Sequence, residues 1–224
     1  PERPIAAIRQ GVARDVPLLA GTNRDEQKLY VQVPRSPIDD AELERQVRAQ
    51  LPAAAAERAR EVVTVYRKSR AVRGLPSSNC DILDAVQTAS RFRIPATRLC
   101  EAQLAHQPRT FLYQFDWVSP ARRGELGACH GLEVPFVWGT VGKNGNPRFT
   151  GTGPDADQLA AHMMDAWIAF ARTGDPSHEG IGPWPAYSIR SRQTMIFGRR
   201  CGAEAAPFEE ERAVWEAVLG SRSS

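Results

Sequence analysis

Three short apolar runs, DVPLLAG (15–21), TFLYQFDW (110–117) and QTMIFG (193–198), are set among long stretches whose apolar residues recur at helical spacing. That alternation restricts the fold more than any other feature of the chain. A strand buried on both faces reads as an unbroken apolar run between turn residues, as DVPLLAG does, whereas an amphipathic helix repeats its apolar residues every three or four positions. Strands alternating with helices predict an α/β fold with a mostly parallel sheet flanked by helices.

The helical stretches can be placed in the same way. From Ile38 to Arg67, Leu43, Val47 and Leu51 fall at i, i+4 and i+8; Pro52 then interrupts, and a second helix runs through Val62, Val63 and Tyr66, predicting an antiparallel pair. Residues 81–92 and 96–106 continue as helix. A break is expected at Pro95, which lacks the N–H of a helical bond and crowds the preceding turn. The clearest helix is 155–172, with Leu159, Met163, Ala166, Trp167 and Phe170 on one face as expected core, and Gly174-Asp175-Pro176 as its stop. A closing helix over 207–219 places Trp215, Val218 and Leu219 on one side.

Composition removes several function classes. With 224 residues, 42% hydrophobic and 25% charged, the chain has the balance of a folded globular protein of one large domain or two small ones. No run approaches the roughly 18 apolar residues of a membrane span, and PERPIAAIRQ lacks the apolar core of a signal peptide. The first residue, Pro1, predicts a processed chain or a piece of a longer one. A net charge of +3, with no block of five like charges, gives no support for nucleic-acid binding. The excess of arginine over lysine reads as GC-rich coding, since only clustering would signal an anion site. Cys80, Cys100, Cys129 and Cys201 stand too far apart for a C-x-x-C metal or redox motif, so free thiols or a single disulfide both fit, and the compartment stays open.

In open α/β sheets chemistry gathers at the carboxyl ends of strands, which directs attention to the loops after DVPLLAG and TFLYQFDW. The first offers Glu26. The second offers His130 within G-A-C-H-G, where Gly127 and Gly131 let the backbone turn closely around the imidazole. A histidine suits proton transfer to and from a hydroxyl, and a carboxylate on its other nitrogen fixes the tautomer. By spacing alone, Asp25 and Glu26 fit better as acids at a helix N-terminus, and a lone histidine fits better as structural. Glu133 completes an H-x-x-E pair with His130, but no second histidine lies at helical spacing, so no metal is expected; Glu133 is read as a buried polar brace for the histidine loop. Phe136 with Trp138, and Leu29 with Tyr30, suit either a substrate pocket or core packing. His106, His162 and His178 are read as non-catalytic.

The longer strings VPLLAGTNRDE, GACHGLEVPFVWG and AWIAFARTGDP, followed by WPAY and TMIFG, resemble the carboxylesterase type B (cholinesterase-like) family in content and order along essentially the whole chain. The resemblance implies an α/β-hydrolase fold with a helical insertion and an ester as substrate, with no cofactor or metal. The family's acid closes a G-x-x-x-D-E string, which falls on Glu26. Its base opens an H-G-x-E-[IVL]-P-F-V-[FW]-G string, which falls on His130.

The chain departs from the family in one respect, because no G-x-S-x-G nucleophile elbow occurs among its residues. The family's chain order is serine, glutamate, histidine. Residues 1–224 are therefore expected to be the C-terminal portion of one catalytic domain, partnered by an N-terminal half carrying the serine and the oxyanion hole, and inactive alone. Leu18 and Leu19 are expected near an exposed or partner-covered surface. The rival implication is a non-catalytic cholinesterase-like binding or adhesion module.

Overall fold

The structure, a computed structural model, describes residues 3–31, 35–143 and 146–220. In chain order its main elements are β1 (Leu18–Asn23), α1 (Asp40–Arg48), α2 (Ala59–Val72), α3 (Asn79–Thr88), α4 (Ile94–Leu104), β2 (Thr110–Phe115), α5 (Pro154–Thr173), β3 (Gln193–Phe197), β4 (Gly202–Ala205) and α6 (Glu209–Leu219). Contacts divide the chain into two units, Pro1–Leu29 with Pro95–Pro207, and Tyr30–Ile94 with Phe208–Ser224.

The first unit holds the sheet, ordered β1-β2-β3-β4. β1 pairs parallel to β2 and β2 to β3, whereas β4 returns antiparallel to β3. The sheet is thus mostly parallel, as expected. β1 starts three residues later than the apolar run and ends on polar Thr22 and Asn23, since the ladder follows Thr110–Phe115 and Pro17 has no N–H to donate. At Gly21, opposite Tyr113, an added Cβ would stand 2.3 Å from the Tyr113 ring, so the two strands fit only without a side chain there. β4 is a strand the sequence did not predict. GAEA has no β-branched or aromatic residue, and three of its four positions are exposed.

One face of this unit packs Phe111, Phe115, Met195 and Phe197 against Leu159, Met163 and Ala166 of α5. α5 begins with Pro154 at its first turn, followed by Asp155 and Asp157, and ends on Gly174 at φ 75°, a left-handed cap that Cβ disfavours. Of the expected stripe, Leu159, Met163 and Ala166 are fully enclosed, while Trp167 and Phe170 are half-buried against the same core.

The second unit is helical. Asp39 caps α1 by accepting the Glu42 N–H at 2.8 Å, and Ser78 with Asp81 forms a capping box that starts α3. After Pro52 a 3₁₀ stretch, Ala53–Arg58, leads into α2. The core joins Leu43, Val47, Val62, Tyr66, Ile82 and Val86 to Val214, Trp215 and Val218 of α6. Trp215 Nε1–H donates to Tyr66 Oη at 2.7 Å, and buried Glu211 is paired with Arg93. The break expected at Pro95 is corrected: a π-helical turn, Ala89–Arg93, runs straight into α4. Its wider winding accommodates the proline ring and the missing N–H that a regular α turn could not.

All four cysteines are free, with Cys100 and Cys129 buried and Cys80 and Cys201 half-buried. Among the described residues, no helix is long and apolar enough to cross a membrane.

Candidate active site

The carboxyl ends of the parallel strands lie side by side. Arg24 N–H donates to Phe115 O at 3.0 Å and Asp116 N–H to Phe197 O at 2.6 Å, carrying the ladder one residue past each strand. From this end β1 turns into a 3₁₀ stretch, Glu26–Tyr30. β2 leads instead into the loop that carries His130. Gly127 and Gly131 both adopt positive φ, 58° and 73°, the tight turning their positions led us to expect.

Glu26 and His130, 104 residues apart in sequence, meet at 2.7 Å between Oε2 and Nδ1. The other carboxylate oxygen, Oε1, accepts the Asn23 N–H at 2.8 Å, so both oxygens are held. Glu26 is only 6% exposed in its side chain whereas His130 is 43% exposed, which sets a fixed acid behind an accessible ring. Burial pushes the Glu26 carboxyl above its ordinary range, and the hydrogen bonds from Asn23 and His130 pull it back in part. A neutral imidazole that donates Nδ1–H to a carboxylate keeps its lone pair on Nε2.

Three further residues shape the site. Asn23 donates through Nδ2 to Cys129 O at 2.7 Å and to Glu133 Oε2, so it links the end of β1 to both flanks of His130. Glu133 is half-buried, not buried as expected, and it braces the histidine loop through Asn23. The Cys129 thiol lies next to His130 in sequence, but burial, with the nearby charges of Asp25, Glu26 and Glu133, pushes it up to about 11. It stays protonated at neutral pH and is unsuited to act as a thiolate nucleophile. Sequence reasoning missed Asn23. Its signal was a β-disfavoured amide at the end of a strand, where a side-chain donor has reason to be.

The remaining candidates separate. Phe136 is fully buried against Phe115 and Trp117, with ring centroids 5.2 and 5.7 Å away, and is core. Trp138 is 73% exposed and, with Tyr113, Val134, Met164, Trp167 and Ile168, lines a largely apolar cavity of about 580 Å³ that Glu133 also borders. Leu29 and Tyr30 are exposed. His106 Nε2 meets Arg9 O at 2.8 Å and His178 Nε2 meets His162 O at 3.0 Å, so these rings serve loop and helix contacts. Among the described residues, no group of three or more His, Cys, Asp or Glu is placed to hold a metal ion.

The profile of the carboxylesterase family matches residues 1–215. The para-nitrobenzyl esterase of Bacillus subtilis is 33% identical over 213 residues, covering 95% of this chain and 40% of that protein. The phenmedipham hydrolase of Pseudarthrobacter oxydans is 40% identical over 96 residues, 42% of this chain and 19% of that one. Among solved structures, a carboxylesterase of Geobacillus stearothermophilus superposes with a TM-score of 0.77 at 30% identity, covering 96% of this chain and 43% of that one. A PNB esterase gives 0.74 at 31%, covering 95% and 41%. The chain thus spans about two-fifths of the length of the relatives it matches from end to end.

Proposed function

The chain belongs to the carboxylesterase family, of α/β-hydrolase fold, and from that premise we propose that residues 1–224 are the C-terminal portion of the catalytic domain of a serine carboxylic-ester hydrolase. Glu26 and His130 are its acid and base. The nucleophilic serine and the oxyanion hole belong to an N-terminal portion that partners this one. This division is supported by the lack of any G-x-S-x-G string in the 224 residues and by the 40% of the para-nitrobenzyl esterase that the chain covers.

In the reaction, the serine oxygen attacks the ester carbonyl carbon while its proton passes to Nε2 of His130. Glu26 stabilises the imidazolium that forms. Collapse of the tetrahedral intermediate breaks the bond to the alcohol, which leaves with the proton from Nε2. Water then adds to the acyl-enzyme with the same nitrogen as base, and the acid departs as the serine recovers its proton. No cofactor takes part. The observation that carries this reading is the 2.7 Å contact between a buried carboxylate and an accessible ring. A module used only for binding or adhesion would have no need of that pairing.

The test is turnover of an aryl ester such as p-nitrophenyl acetate by the protein that includes the preceding portion. His130→Ala is expected to lower kcat by several orders of magnitude, and Glu26→Gln severely but less. The 224-residue chain alone is expected to show no turnover and no stoichiometric labelling by a serine-directed phosphonate, since it lacks the main stabilisers of the tetrahedral intermediate. Full turnover by His130→Ala, or labelling of the chain alone at one site, overturns the assignment.

A further inference from the structure

The acid that precedes Glu26 makes a second tie between the same two loops. Asp25 N–H donates to Ala128 O at 3.0 Å, and Ala128 N–H donates back to Asp25 Oδ2 at 3.0 Å, so one residue engages both polar backbone groups of the other. Ala128 is fully buried and stands two residues before His130. The carboxylate is itself held: Arg24 reaches Oδ2 through Nε at 3.1 Å and Nη2 at 3.1 Å, and anchors on Asp116 at 3.3 Å just past β2. Gly127 completes the arrangement. It turns at φ 58°, and a Cβ there would lie 2.4 Å from Asp25 Oδ2, so the loop reaches the carboxylate only because residue 127 has no side chain.

An aspartate serving merely as an acid at a helix N-terminus would face solvent. Asp25 is 6% exposed and directs its carboxylate at the loop instead. We infer that Asp25 is a positioning residue for His130: by clamping Ala128 it sets the height of the 127–129 backbone, and so places the imidazole over Glu26 by a route separate from the Glu26–His130 bond. This rests on the reading of His130 as the base. Asp25 acts through the loop. Its removal is expected to loosen the ring's tautomer and orientation while the fold persists.

The experiment is ¹H–¹⁵N NMR of the ¹⁵N-histidine-labelled protein that includes the preceding portion, which reports which ring nitrogen of His130 carries the proton, with a thermal melt of each variant to verify folding. The wild-type ring is expected to show an Nδ1-bound proton protected from exchange. Asp25→Ala is expected to lose that protection, and Asp25→Asn, which retains an oxygen for the Ala128 N–H, to restore it. A fully protected Nδ1 proton in Asp25→Ala overturns the inference. If Asp25→Ala does not fold, Gly127→Ala probes the clamp from the other side: loss of protection supports it, and an unchanged signal overturns it. Glu26→Ala, which leaves no acceptor for Nδ1–H, tests the underlying reading separately, since a wild-type signal in that variant would defeat the Glu26–His130 pair whatever Asp25 does.

Discussion

Glu26 is buried, yet each of its oxygens accepts a hydrogen bond, and these two facts pull its ionisation in opposite directions. Burial prevails, and the folded carboxyl titrates above its ordinary 4.5. The carboxyl ¹³C signal of Glu26 is expected to titrate with a midpoint above that value. A raised folded value means that the folded chain holds its proton where the unfolded chain has released it. The associated stability is therefore fully present below 4.5 and is lost as pH rises through the folded value. The margin by which wild type exceeds Glu26→Gln in thermal midpoint is accordingly expected to shrink as pH rises from 4.5; a margin that widened would show the carboxylate to be net stabilised by its partners. The meeting of Glu26 and His130 was legible because each sits in a string of recognisable residue types. The ties of Asn23 and Asp25 to the main chain were not, because each reaches a backbone group, of Cys129 and Ala128, over a hundred residues away. A bond to the main chain leaves no mark on the residue type at its far end.

At the scale of elements, the pairing of β1 with β2 depends on Gly21. An added methyl would meet the Tyr113 ring at 2.3 to 2.5 Å, in a position where neither strand can withdraw without breaking the ladder. Gly21→Ala is expected to destabilise the chain by about 1–3 kcal/mol in chemical denaturation, the usual cost of overpacking. A shift within about 0.5 kcal/mol would mean that the ring swings aside freely, as at ordinary surface positions. The parallel strands and the long helix were readable because apolar runs and 3.6-residue periodicity come directly from burial. β4 left no such trace, as its residues are mostly exposed and its existence is due to the ladder offered by β3. Pro95 misled for the converse reason. The rule against proline holds for an α turn, and here the turn before it is wound as π.

At the scale of the whole molecule, β1 lies at the edge of the sheet with Leu18, Leu19 and Ala20 only half-buried. Edge strands in self-sufficient proteins are usually blunted by charge, proline or a bulge. LLAGTN has neither charge nor proline. The 224-residue chain is therefore expected to associate with rising concentration and to bind a hydrophobic dye, as read by sedimentation across a dilution series and by fluorescence. A monodisperse monomer that leaves the dye dark would show that this edge needs no cover. The division into two units bears on synthesis as well. The helical unit is drawn from residues 30–94 and again from 208 onward, with the sheet-bearing residues 95–207 between them. On a ribosome, Tyr66 and Val62 thus emerge long before Trp215, Val214 and Val218, with which they share a core. Translation must deliver every strand of the sheet before that core can close. A nascent chain interrupted after Pro207 would have its sheet residues complete, while Tyr66 would still await the indole that donates to it.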